Sequence, residues 1–299
     1  MDAWLNERDW RLILDRIEAG NCTPFLGAGA CHGVLPLGRE VAKEWAKEYG
    51  YPLEDAGDLV RVSQFLAVNH DDAMFPKELL LKKWRNSGLP NFANPDEPHR
   101  VLASLPLPVY MTTNYDNYMV RALRSCGKNP IREICRWNRF VRNHPSVFDR
   151  ESQFEASEAN PVVFHLHGHD EIPESLVLTE DDYLDFLVNV AKDDGLLPPR
   201  IQRALTGSSI LFVGYAISDW DFRVLFRSLV SYLERTLIRA HVAVQIAPGG
   251  DGISQEQKER TQEYLTSYYE QLRIRLYWGT AWQFALELRQ RWEAHLHGR

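Results

Sequence analysis

Apolar residues recur at helical spacing from the start of the chain. Trp10, Leu12, Ile13, Leu14 and Ile17 predict an amphipathic helix over about residues 4–19, closed by Gly20-Asn21. The apolar run Cys22 to Leu26 then reads as a short buried strand. After a glycine turn, Val41, Trp45 and Tyr49 line one face of a helix over Gly38 to Tyr49. Residues 51–95 break this strand–turn–helix rhythm. They carry helical periodicity only (Leu59, Val62, Phe65, Leu66, then Leu79 to Trp84) and end in the Pro/Asn-rich stretch Leu89 to Pro95. That pattern predicts a helical insertion at about 51–95.

A short helix from Pro98 to Leu105 leads back into alternating elements. Strands are predicted at Pro108–Thr112, Ile131–Arg136, Pro161–Leu166, Ser208–Val213, His241–Ile246 and Ile274–Tyr277. Helices are predicted from the Thr113–Asp116 loop to about Ser125, over Glu180–Val190, from Asp219 to about Leu233, over Ser254–Gln271 and from Thr280 to about Glu293. Residues 138–160 are polar and irregular and read as a surface loop. Several strands are continuous apolar runs, as in a sheet covered on both faces. The fold class expected is therefore α/β: a Rossmann-like parallel sheet with helices on both faces and the helical insertion, forming one domain over 1–299.

Composition adds limits. Of the 299 residues 44% are apolar and 25% charged, enough for a real core. The net charge of −7 argues against broad binding to a phosphate backbone, so no nucleic-acid partner is expected. Arg136, Arg139 and Arg142 form a local basic patch that a solvated loop explains equally well. Cys22, Cys31, Cys126 and Cys135 include no C-x-x-C pair, so neither a zinc ribbon nor a dithiol site is indicated. The first residues lack a basic start and an apolar stretch, and no apolar run approaches a membrane span. A cytoplasmic protein with reduced thiols is expected.

Four polar motifs fall at predicted strand ends, where open α/β sheets bind ligands. The first is Gly27-Ala28-Gly29-Ala30. Glycines let a backbone approach a phosphate closely, although a ligand-free tight turn has the same look. His32 stands where a dinucleotide fingerprint needs its third glycine, and no Gly-Lys-Ser/Thr follows, which removes a Walker loop. The second is Thr113-Asn114-Tyr115-Asp116. An Asn amide both donates and accepts, so Asn114 can hold a ribose hydroxyl and a water, and Asp116 can bond a carboxamide; all three polar residues are equally good helix caps. The third is His167-Gly168-His169. A histidine titrates near neutrality and suits general-base work, with a hydrogen-bonded structural role as the alternative. His165, His167 and His169 also raise a metal site, but no carboxylate or cysteine at ligand spacing completes one, and no metal is expected. The fourth is Gly214 to Asp219, where Gly214 admits a phosphate or ribose, and Ser218 and Asp219 can cap the next helix.

In this order the motifs resemble the sirtuin superfamily over about residues 20 to 290. Gly27-Ala28-Gly29-Ala30 resembles its opening Gly-Ala-Gly motif. Thr113 to Asp116 resembles the Thr-Gln-Asn-Ile-Asp segment, which implies a ribose-binding Asn114. Leu166-His167-Gly168 resembles the segment with the catalytic histidine, and Gly214-Tyr215-Ala216-Ile217 the Gly-Thr-Ser-Leu segment on the NAD phosphates and ribose. The chain departs from the deacylases: it lacks their paired cysteines and the Gln of Thr-Gln-Asn, and it has Ala216 for Ser. Its wording is more similar to sirtuin-like effectors of bacterial antiphage defence. That resemblance implies an NAD glycohydrolase releasing nicotinamide and ADP-ribose. It makes Asn114 and His167 catalytic and puts NAD on Gly27, Ala28, Gly29, Ala30, Thr113, Asp116, Gly214, Tyr215 and Ser218. It further implies a homo-oligomer and a partner such as a HerA-like ATPase or another sensor, the chain having no room for a large sensor domain. A deacylase or ADP-ribosyltransferase in the same cleft, and a non-catalytic NAD or ADP-ribose module, are the alternatives; a nuclease has little support.

Overall fold

The computed structural model of the chain describes residues 5–85, 87–150, 154–192, 196–215, 241–246 and 254–298. Helix α1 (Glu7–Glu18), capped by the Asn6 side chain, precedes β1 (Cys22–Leu26). A 3-10 turn at Ala28–Cys31 and α2 (Gly38–Tyr49) follow. The expected insertion contains α3 (Leu59–Asn69) and α4 (Phe75–Arg85). Then come α5 (Pro98–Ser104), β2 (Val109–Thr112), α6 (Tyr118–Ser125), β3 (Ile131–Ile134), α7 (Val147–Arg150) and β4 (Val162–His165). The rest is α8 (Glu180–Lys192), α9 (Pro199–Gly207), β5 (Ser209–Val213), β6 (His241–Gln245), α10 (Gln255–Gln271), β7 (Ile274–Trp278) and α11 (Ala281–His297).

The seven strands pair in parallel in the order β3-β4-β2-β1-β5-β6-β7. The chain builds one half outward from β1, then returns and builds the other half from β5. The order therefore reverses between β1 and β5, the place where an open parallel sheet leaves a crevice at its carboxyl edge.

Side chains alternate along each strand, so one sheet feeds two cores. Leu26, Tyr110, Val163, Leu211, Val213 and Val244 pack with α1, α5, α6 and α11. Phe25, Met111, Phe164, Phe212, Ala243 and Leu276 pack on the other face with α8, α9 and α10. Fully burying Phe25 and Phe212 is worth about 2–3 kcal/mol each.

The insertion has its own core with α2, built from Trp45, Val62, Leu66, Leu80 and Leu81. That core includes Tyr115, Leu176 and Leu178 from loops at the carboxyl edge, so the insertion walls the crevice. Trp84 lies 5.6 Å from Tyr115, ring to ring. The buried Lys77 ammonium donates to Asp182 at 2.9 Å, and Gln64 exchanges hydrogen bonds with Asp181, which ties α4 and α3 to the start of α8.

Two sequence expectations change. Helix α9 was not anticipated, although Pro199 at its first turn and the buried pair Ile201 and Leu205 at (i, i+4) carry a helical signal. Residues 138–160 are not wholly surface. Val141 and Val147 are buried, and the Val147 amide donates to the buried Glu133 carboxylate at 2.6 Å, a partner that local polarity does not reveal. The helix expected from Asp219 to Leu233, with Ser218 and Ala216-Ile217, lies outside the described residues. Among the described residues no helix is long and apolar enough to cross a membrane.

Candidate active site

The loops after β1 and β5 meet at the reversal of the sheet, and glycine is what lets them meet. Gly27 N–H donates to Val213 O at 2.9 Å and Gly29 N–H to Gly214 O at 2.8 Å. Gly214 has φ +83°, and a Cβ there would sit 2.2 Å from the Ala30 nitrogen. The three glycines thus serve first to pack two backbones together. Ala30 N–H turns back to Gly27 O at 3.0 Å. Ala28 is exposed, and among the described residues its N–H has no backbone acceptor, so it is the amide this turn can offer to a ligand.

The loop after β2 closes over the same turn. Asn114 Nδ2 donates to Gly27 O at 3.1 Å and to the Cys31 sulfur at 3.3 Å, while its own N–H donates to Thr112 Oγ1 at 2.9 Å. The Thr113 and Tyr215 hydroxyls are 2.7 Å apart, and Tyr215 OH also donates to Leu26 O at 3.1 Å. Gln245 Nε2 holds Tyr215 O at 2.6 Å. Asn114, Thr113, Tyr215, Gly27 and Gly214, expected together from sequence, are therefore one hydrogen-bonded unit. Asp116 is buried beneath it: Oδ1 accepts the N–H of Tyr118, the first residue of α6, at 2.8 Å, and Oδ2 accepts the Cys31 thiol at 3.3 Å.

The histidine run follows β4. Thr112 pairs with His165, so Asn114 and His167 each stand two residues beyond one register position on neighbouring strands. The three imidazoles have different surroundings. His165 Nδ1–H donates to the Asn114 carbonyl at 3.1 Å and so fixes the catalytic candidate's backbone. His169 packs on His165 at 4.7 Å and lies 3.1 Å from Arg132 Nη1. His167 turns to α8, edge-on to Tyr183 at 5.3 Å and Phe186 at 5.0 Å, and among the described residues its ring has no hydrogen-bond partner. The ring nitrogens are thus left without a protein hydrogen bond among the described residues, in a buried setting. Burial drives its pKa down to about 3. The near-neutral titration expected from sequence is absent because water is excluded, and His167 stands as a neutral imidazole.

Gly168 sets this turn. Its φ is +91°, and a Cβ would meet Ser175 O at 2.2 Å. Gly168→Ala is expected to cost more than about 3 kcal/mol in urea unfolding, because positive φ and a backbone clash act together. An unfolding midpoint equal to wild type would refute this account of the turn.

Sequence reasoning missed Cys31, Glu97 and His99, which lie under Asn114; they are far apart in the chain and no spacing signals them. Ser218 lies outside the described residues.

A family model described as the SIR2-like domain matches residues 108–276, more than half of the chain. The match holds Asn114, Asp116, His167 and Gly214 but not the Gly27–Ala30 turn. Curated relatives include the NAD(+) hydrolase ThsA of Cytobacillus dafuensis, 27% identical over 71% of this chain and 39% of that one. The NAD(+) hydrolase ThsA of Acinetobacter baumannii is 25% identical over 71% and 41%, and that of Bacillus cereus 24% over 75% and 43%. The chain thus spans about two fifths of the length of these relatives. A solved structure from work on the mechanism and regulation of Sir2 enzymes aligns over 98% of this chain and 100% of its own, at 11% identity and a TM-score of 0.43.

Proposed function

The chain belongs to the SIR2-like domain family, and on that premise we propose that it is an NAD glycohydrolase, cleaving NAD to nicotinamide and ADP-ribose. One observation carries the reading: the Asn114 amide is held on Gly27 O, so the candidate catalytic residue and the glycine turn form a single surface at the sheet reversal. The relatives named NAD(+) hydrolase support the choice of reaction.

In this reading the pyrophosphate crosses the turn at Gly27, Ala28, Gly29 and Ala30, nearest the Ala28 amide, with Gly214 and Tyr215 on its other side and Ser218 beyond. Thr113 and Asn114 face the nicotinamide ribose. Asp116 supports their loop from below, since its two oxygens are already engaged by α6 and Cys31. The bond to nicotinamide breaks from a nitrogen that is already cationic, so the leaving group needs no proton. The site has to hold the sugar in place and favour an oxocarbenium-like centre, which oriented dipoles do well away from bulk water. Asn114 Oδ1 supplies the dipole. His167 accepts a hydrogen bond from the attacking water or a ribose hydroxyl in its neutral form.

A neutral His167 has a kinetic consequence. With its pKa near 3, it does not change charge between about pH 6 and 8, so kcat/KM is expected to be level there. An inflection near 6.5 that vanishes in His167→Ala would show that His167 titrates as an ordinary histidine.

The direct assay follows nicotinamide release from NAD by the pure chain, alone and with a candidate partner. Release without an acceptor supports hydrolysis; release only with an acylated peptide would make the enzyme a deacylase. No release in either setting would remove the hydrolase reading. In the same proposal the enzyme depletes NAD in antiphage defence, as a homo-oligomer working with a HerA-like ATPase or another sensor. Light scattering of the pure chain and NAD turnover with such an ATPase test those statements.

A further inference from the structure

Three side chains from separate parts of the chain converge beneath Asn114. Cys31 ends the 3-10 turn after β1, His99 lies in α5, and Asp116 precedes α6. Cys31 Sγ is 3.9 Å from His99 Nε2 and 3.3 Å from Asp116 Oδ2. All three donor atoms lie within 4.8 Å of one another, and all three residues are buried. In a tetrahedral zinc site a thiolate sulfur and a nitrogen or oxygen ligand stand roughly 3.5 Å apart, from metal bonds of about 2.3 and 2.0–2.1 Å. The two distances to sulfur bracket that value.

The surroundings fit a cation better than they fit the free side chains. Glu97 Oε1 sits 2.7 Å from His99 Nδ1, so Nδ1 carries the proton and the Nε2 lone pair faces the sulfur. A carboxylate behind a histidine in this way is the usual support of a metal-binding imidazole. Without a cation, the His99 Nε2 lone pair faces sulfur lone pairs, because the Cys31 proton is directed at Asp116. Glu97 and Asp116 are both buried, and among the described residues no lysine or arginine pairs with either carboxylate. Asn114 Nδ2 points at the sulfur at 3.3 Å, as an N–H donor to a thiolate does.

The other clusters are weaker. His169, Asp170 and Glu171 already receive Arg132, which donates to His169 and Glu171. Asp15, Glu18 and His295 lie at the surface.

We propose that Cys31 Sγ, His99 Nε2 and Asp116 Oδ2 bind a divalent cation of the zinc class, with Glu97 orienting His99. As the metal–sulfur bond forms, the thiol proton leaves to solvent. The mixed sulfur, nitrogen and oxygen set selects zinc or cobalt over magnesium or calcium. The metal ties the glycine turn, α5 and the Asn114 loop together, and its thiolate accepts the Asn114 amide. The proposal is independent of the NAD reaction, because its readout is spectral.

The test is titration of the full, reduced chain with cobalt(II), together with the zinc content of protein purified without chelator. The expected result is one metal per chain and a near-ultraviolet thiolate-to-cobalt band with tetrahedral visible bands. Cys31→Ser should abolish the band, Cys126→Ser should leave it intact, and Glu97→Gln should weaken cobalt binding by about 10–100-fold. Wild-type chain that takes up neither metal, or a band that survives Cys31→Ser, overturns the proposal. If Cys31→Ser fails to fold, the wild-type titration and the Cys126→Ser and Glu97→Gln chains still decide it.

Discussion

Asn114→Ala is expected to reduce nicotinamide release by roughly a hundredfold or more while leaving a folded protein that still binds NAD. The size follows from what Asn114 does in the proposed reaction. Its amide is the dipole beside the ribose carbon whose charge grows in the transition state, and a preformed dipole there needs no reorganisation. Its tethers are modest: Nδ2 reaches Gly27 O and the Cys31 sulfur. Truncation leaves Gly27 O without that donor, a loss of about 1–3 kcal/mol, which a domain of this size withstands. The decisive measurement is the split between kcat and the NAD dissociation constant. A fall in kcat with binding kept within a few-fold assigns Asn114 to the transition state. An equal loss of both makes it a substrate anchor, and unchanged turnover removes it from the site.

The second large effect is acid unfolding. Burial lowers the pKa of His165 and His241 to about 4, of His167 to about 3 and of His169 to about 2. Unfolded, each returns to about 6.5. Above pH 7 neither state protonates them and they leave stability unchanged. As the pH falls below 6.5 the unfolded chain takes up protons that the folded chain refuses, so stability declines until the folded values are reached. At pH 5 each buried histidine has cost about 2 kcal/mol, and four together about 8. Asp170 runs the other way, since burial raises its pKa to about 6 and the folded state gains its proton first, which returns part of the loss. Against a typical total of 5–15 kcal/mol, the protein should lose its fold near pH 5. Urea unfolding at pH 7, 6 and 5 checks this, and a midpoint that stays put down to pH 5 would contradict it. The acid limit of the proposed reaction is then set by unfolding, with His167 still neutral.

Most elements were legible because their signals are local. Cys22–Leu26 and Gly38–Tyr49 have the boundaries that apolar spacing assigns, and the insertion was visible as helical periodicity without a strand. Helix α9 carries a weak local signal because it is short and begins at a proline pair directly after Leu196-Leu197. The strand-end motifs were legible as candidates for one crevice, since parallel strands bring their carboxyl ends to one edge. Which motif touches which was not.

The chain pattern alone thus determined a parallel α/β sheet, its insertion and the loops that carry Asn114 and His167, because each rests on neighbours a few residues away. Only the tertiary structure decided the rest. The strand order put the reversal between β1 and β5, and that made Gly27, Gly29 and Gly214 packing partners before they could be ligand contacts. Burial against α8 turned His167 from a neutral-range base into a neutral imidazole. The cluster of Cys31, His99 and Asp116 came from three distant segments. Contact across the fold and exclusion of water depend on which surfaces meet, and a linear spacing does not encode that.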